Sequence, residues 1–192
     1  MKMISENDGI EPKLVSVEPR ADQRQQGLTV WFTGLSGAGK TTICKSVHAE
    51  LLTRGYRVEM LDADVVRKQF WPDLGFSRVD RDENIRRIGF LAQLLTRNGI
   101  IALLWPPSLP IGLRAMRFAT KFVASLKFTL IHPCASAKNA IRRGLYRRAR
   151  SGDLHGFTGI DDPYEAPLAP EIRCATDQDT VDTCRTRWFL RY

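Results

Sequence analysis

"LTVWFTGLSGAGKTTICKSVHAELLTRG", residues 28–55, holds the pattern that decides the fold. An apolar run from Leu28 to Phe32 meets a glycine-rich loop. A helical pattern follows, in which Ile43, Val47 and Leu51 recur at i, i+4 and i+8 ahead of Gly55. The predicted order is strand, loop, helix. Within it Gly34 to Thr41 fits GxxxxGKT. Glycines there let successive backbone N–H groups face phosphate oxygens, and the helix N-terminus adds its partial positive charge. Gly34, Leu35, Ser36, Gly37, Ala38, Gly39, Lys40, Thr41 and Thr42 are the expected ATP-binding residues. Lys40 reaches the β and γ phosphates in this reading, and Thr41 holds Mg²⁺.

The second strand is expected in "YRVEMLDADVVRKQF", residues 56–70, where a run from Val58 to Leu61 ends in Asp62 and Asp64. Ligands of an open α/β sheet bind at the carboxyl ends of its strands, so an acid there can orient Mg²⁺ or accept a proton from a substrate hydroxyl. Turn or N-cap aspartates ahead of a helix from Val65 are the plainer alternative. Both hold if Asp62 is structural and Asp64 functional. A helix is predicted next in "LGFSRVDRDENIRRIGFLAQLLTRNG", residues 74–99, with Ser77 or Asp80 as cap and Ile85, Ile88, Ala92 and Leu95 on one face. Its start crowds Arg81, Asn84, Arg86 and Arg87 near Arg67. Such arginines suit bidentate contact with phosphate or sulfate oxygens, and they equally suit a solvated helix face.

Composition bounds the rest. The chain has 192 residues, 43% apolar and 26% charged, as one globular domain with a real core requires. No apolar run approaches the roughly 18 residues of a membrane span, and the opening "MKMISENDGI" lacks the apolar centre of a signal peptide. A cytoplasmic protein with no membrane partner is expected. Cys44, Cys134, Cys174 and Cys184 show no CxxC spacing and are expected to be inert thiols. The net charge of +8 is uneven: residues 105–143 carry seven Lys or Arg and no acid, which leaves +1 for the other 153 residues. Without a recognition-helix or aromatic-platform pattern, that excess points to no nucleic acid.

The same segment breaks the pattern of the chain. In "RNGIIALLWPPSLPIGLRAM", residues 97–116, a buried strand runs into Trp105, Pro106 and Pro107, and a central strand cannot continue through a Pro-Pro pair. Apolar residues at period two, Phe122, Ala124, Leu126, Phe128 and Leu130, still predict a strand near Ser125 to Ile131.

Four blocks together resemble the adenylyl-sulfate (APS) kinase family: GLSGAGKTT, LDAD-x-x-R, LGFS-x-x-DR-x-ENIRRIG and GLYRRARSGDLHGFTGIDDPYEAPLAPE. They cover roughly residues 28–104 and 144–180. The resemblance implies an α/β, P-loop nucleoside triphosphate hydrolase-like three-layer fold, with a parallel sheet flanked by helices. It implies transfer of the ATP γ-phosphate to the 3′-hydroxyl of adenylyl sulfate, giving 3′-phosphoadenylyl sulfate in sulfate assimilation. Lys40 and Asp64 become the catalytic residues, with Asp64 orienting or deprotonating the 3′-hydroxyl. Arg67, Arg81 and Asn84 look like contacts to the acceptor, and Phe76 and Phe157 like the two rings around its adenine. For either Phe, core packing is the plain alternative. Arg147 and Arg150 resemble a lid that excludes water. Mg²⁺ with ATP is the implied cofactor, ATP and adenylyl sulfate are the small-molecule partners, and a homodimer is the implied assembly. The family's usual LDGD stands here as LDAD.

After "IIALL" the family expects stretches like VSAISPYR, RDEVR, FVEVYV and RDPKGLY, and none is present. Back-translated and read one base earlier, Leu104 to Gly112 permits VAAISPYR. The same frame then permits RDEVR, FVEVYV and EERDPK ahead of Gly144. Codon freedom accounts for one short match, not for four in order and in one frame. Residues 105–143 are therefore read as an out-of-frame translation, and phosphoryl transfer by the chain as written is expected to be impaired. The expected organisation is an N-terminal segment 1–27 and a kinase domain 28–180, with 105–143 anomalous and 144–165 as lid. Residues 181–192 form a divergent tail, since "CRTRWFLRY" shows no clean apolar stripe. Another P-loop small-molecule kinase, or a nucleotide-binding remnant without turnover, remains the alternative.

Overall fold

The computed structural model describes residues 25–75, 77–105, 125–131, 151, 164, 166–167 and 169–191. They form β1 (Leu28–Thr33), α1 (Lys40–Thr53), β2 (Val58–Asp62), α2 (Ala63–Phe70), α3 (Arg78–Arg97), β3 (Ile101–Trp105), β4 (Ser125–Ile131), β5 (Ile172–Ala175) and α4 (Val181–Phe189). The strands make one sheet in the order β2-β3-β1-β4-β5, and each neighbouring pair is parallel. All strand carboxyl ends therefore share one edge, where β1 opens into the glycine loop and β2 into α2.

β1 is central and buried on both faces, which explains its unbroken apolar run. Val30 and Phe32 join Ile43, Val47 and Leu51 of α1 on one face. Trp31 meets Ala63, Ile85, Ile88 and Ala92 of α2 and α3 on the other. Period-two alternation in the strand thus meets two helical stripes, and the sheet lies between two helical layers.

Hydrogen bonds close the helix ends. Ser77 accepts the Asp80 amide at 3.1 Å and its hydroxyl donates to Asp80 Oδ2 at 2.7 Å, so α3 has a reciprocal N-cap. Gly55 N–H donates to Leu52 O and Tyr56 N–H to Leu51 O, the Schellman pair that ends α1.

β4 forms where the alternation of the anomalous segment predicts it, in register with β1 from Thr29↔Ser125 to Thr33↔Thr129. The rings of Phe32 and Phe128 stack across this pairing with centroids 4.9 Å apart. The expectations for 106–124, 132–143 and the lid apart from Ser151 and Tyr164 fall outside the described residues, as do Phe76, Arg147, Arg150 and Phe157.

The tail differs from the sequence reading. Residues 181–189 form α4, capped by Thr180, which accepts the Thr183 amide at 3.1 Å. Cys184 and Trp188, at i and i+4, are fully buried in the α1-side core. Arg54 at the end of α1 lies 4.0 Å over the Phe189 ring. A two-residue stripe is too short to show as periodicity, yet one buried Trp contributes as much apolar area as two smaller side chains. Among the described residues, no helix is long and apolar enough to cross a membrane.

Candidate active site

The loop after β1 folds back on itself around Lys40. Its ammonium donates to the carbonyls of Gly34 at 2.9 Å and Leu35 at 3.0 Å, and the side chain is buried. Burial pulls the Lys40 pKa down to about 8, and the charge of Asp64 pulls it back up. Gly34, Gly37 and Gly39 all have positive φ, at 147°, 81° and 86°. At Gly34 glycine is also demanded by space, since a Cβ would lie 2.6 Å from the Leu130 carbonyl oxygen of β4. Gly39 is the N-cap of α1 and offers no side-chain acceptor, so no cap side chain covers the end where the helix carries its partial positive charge. Thr41 and Thr42 are exposed on that first turn.

The two aspartates divide as the capping alternative requires. Asp62 Oδ1 accepts the amides of Asp64 at 2.9 Å and Val65 at 3.4 Å, so it is the N-cap of α2. The helix starts at Ala63, two residues before the sequence reading placed it. Asp64 is left on the first turn with its carboxylate uncommitted to the cap. Its pKa is raised, first by desolvation and then by Asp62, against the opposing pull of Arg67, Lys68 and Lys40. The residue is exposed, so solvent reaches a carboxylate that neighbouring chain has partly stripped of hydration. A buried ammonium from the β1 loop and a carboxylate from the end of β2 thus share one electrostatic neighbourhood.

Arg67 is buried in α2, and its Nη1 donates to the Gly75 carbonyl at 2.7 Å, which ties α2 to the segment entering α3. On α3, Asn84 is buried with no hydrogen-bond partner for its Oδ1, and Arg81 is half-buried one turn before it. Arg86 and Arg87 are different: both pair with Glu83, and Arg87 also reaches Asp73 at 3.3 Å. Those two belong to a solvated face, where ion pairs contribute little.

The sequence reading overlooked one contact. Tyr164 OH lies 3.1 Å from Thr33 Oγ1 at the end of β1, and burial raises its pKa. The pair is separated by 131 positions, so no local pattern announces it.

Residues 26–175 match the family Adenylylsulphate kinase. The chain is 46% identical to the adenylyl-sulfate kinase of Microcystis aeruginosa, an alignment covering 83% of this chain and 87% of that protein. Against the probable adenylyl-sulfate kinase of Synechocystis sp. the identity is 48%, covering 83% and 89%. The structure superposes on the Mycobacterium tuberculosis APS kinase CysC in complex with AMPPNP and APS, with a TM-score of 0.79 and 34% identity over 85% of this chain and 96% of that one.

Proposed function

The chain belongs to the adenylyl-sulfate kinase family, ATP-dependent kinases of adenylyl sulfate, and from that premise we propose how its residues divide the reaction. ATP lies on the loop 34–42, with backbone amides and Lys40 around its phosphates. Lys40 leaves the Gly34 and Leu35 carbonyls for the β and γ oxygens, where its charge offsets the charge that develops in transfer. Asp64 accepts the hydrogen bond of the 3′-hydroxyl of adenylyl sulfate and aligns that oxygen with the γ-phosphorus. Its raised pKa makes it a stronger proton acceptor than an ordinary aspartate. Arg67, Arg81 and Asn84 hold the acceptor, the arginines through its anionic oxygens.

Exposed Thr41 is a hard oxygen donor suited to Mg²⁺ and would hold it. When bound, the ion neutralises charge across the β and γ phosphates. Phe76 and Phe157 are assigned to the acceptor's adenine, and Arg147 and Arg150 to a lid. The same reading takes the cytoplasm as compartment and a second copy of the chain as protein partner.

The observation that carries this division is the placement of the Lys40 loop after β1 and of Asp64 after β2 at one edge of the parallel sheet, on either side of β3, where each charge bears on the other. The test is Asp64→Asn. A loss of about 10²–10⁴-fold in kcat with ATP affinity unchanged is expected for removal of a proton acceptor. Turnover at the parent rate would remove Asp64 from the chemistry.

A further inference from the structure

Three side chains outside the nucleotide site converge where β5 turns into α4. Cys174 Sγ, Cys184 Sγ and a carboxylate oxygen of Asp179 all lie within 4.8 Å of one another. Both cysteines are free and fully buried. Their spacing shows nothing of this, since the contact is made only when α4 packs back on β5. We propose that Cys174, Cys184 and Asp179 form a binding site for a thiophilic divalent metal ion of the zinc class.

Sulfur donors select soft and borderline ions over Mg²⁺ or Ca²⁺. Zinc–sulfur bonds of about 2.3 Å place tetrahedral sulfurs roughly 3.8 Å apart, a spacing compatible with ligand atoms that lie within 4.8 Å of one another. Asp179 is already oriented: its Oδ2 accepts the Ala175 amide at 2.7 Å, and Arg187 donates to both carboxylate oxygens. A carboxylate offers about four lone-pair sites, so these three bonds leave one for a metal. Arg187 is thereby an outer partner of the kind that fixes a ligand's geometry. The charges also balance. Two thiolates offset the divalent ion, and Asp179 with Arg187 adds nothing net. Cys44 of α1 is equally buried and belongs to no such group among the described residues, which makes it an internal control.

The experiment is titration of the full chain, kept reduced with a phosphine, with Zn²⁺ alone by calorimetry in two buffers of different ionisation enthalpy. Co²⁺ is added to a parallel sample. One ion bound with release of about two protons is expected, because both thiols must ionise on binding. Cobalt should give a sulfur-to-metal charge-transfer band. Cys174→Ser and Cys184→Ser should each weaken binding by more than the roughly 10–100-fold that loss of an outer partner costs, and Cys44→Ser should leave it unchanged. If the serine variants fail to fold, the proton count and cobalt spectrum of the parent chain decide alone. No bound zinc, binding without proton release, or unchanged affinity in both folded serine variants would overturn the proposal.

Discussion

Replacing Gly34 by alanine tests the nucleotide loop where two constraints meet. Its φ of +147° is one that L residues rarely adopt, and an added Cβ would stand 2.6 Å from the Leu130 carbonyl oxygen and 3.2 Å from Leu130 Cβ. The first contact is with main chain of a central strand, which cannot yield as a flexible side chain can. Backbone strain of about 1–2 kcal/mol and overpacking of about 1–3 kcal/mol together give a loss of roughly 2–5 kcal/mol. Gly39→Ala is the matched comparison, because its φ of +86° carries strain while nothing lies within 4 Å of its Cβ position. Its expected cost is only about 1–2 kcal/mol. Urea unfolding of both variants reads the stability difference, and an ATP titration reads the damage to the cradle. Gly34→Ala should be the less stable and should bind ATP more weakly. Equal stability of the two variants, or a smaller loss at Gly34, would refute the claim that β4 seats the loop.

Lys40→Ala should sharply weaken ATP in equilibrium binding, whereas Arg81→Ala should spare ATP and weaken adenylyl sulfate; the reverse pattern would undo the division of the two sites. ATP affinity should fall by about tenfold per pH unit above pH 8, where Lys40 loses its proton in the free enzyme, and calorimetry should show proton uptake on binding. For folding the sign is opposite. The lysine pKa is depressed below its unfolded value of 10.5, so its cost to stability is full below pH 8 and is relieved as the pH rises from 8 to 10.5. The codons for residues 105–143, sequenced in the gene, should spell the missing family stretches when read one base earlier, and codons that cannot do so would end the frame explanation.

Much of this architecture is legible in the sequence because its signals are local. β1, the glycine loop and α1 follow from one apolar run, one motif and one stripe, and α3 from a cap and four periodic residues. β4 was readable through an anomalous segment because alternation alone suffices for a strand. The aspartates were ambiguous until backbone geometry gave two amides to Asp62 and left Asp64 free of the cap. What escaped reading depends on contacts between distant segments. α4 has a stripe of only two buried residues, Tyr164 meets Thr33 across most of the chain, and Cys174 meets Cys184 only through a helix packed on a strand. Spacing suggests the pairing of Arg86 and Arg87 with Glu83, but it does not show that Arg81 is half-buried while Arg86 is exposed.

The central claim is phosphoryl transfer from ATP to the 3′-hydroxyl of adenylyl sulfate. The direct measurement follows label from [γ-³²P]ATP into products, for the chain as written and for a version carrying the in-frame stretches at 105–143. Both should label adenylyl sulfate at the 3′ position and leave other alcohols unlabelled. If residues 105–143 are out of frame, the chain as written should be slower by at least about 10³-fold, since positioning groups supplied by that segment would act as a unit. Label in 3′-phosphoadenylyl sulfate is the result the account predicts. Label in a different acceptor, or none in adenylyl sulfate from either version, would contradict it.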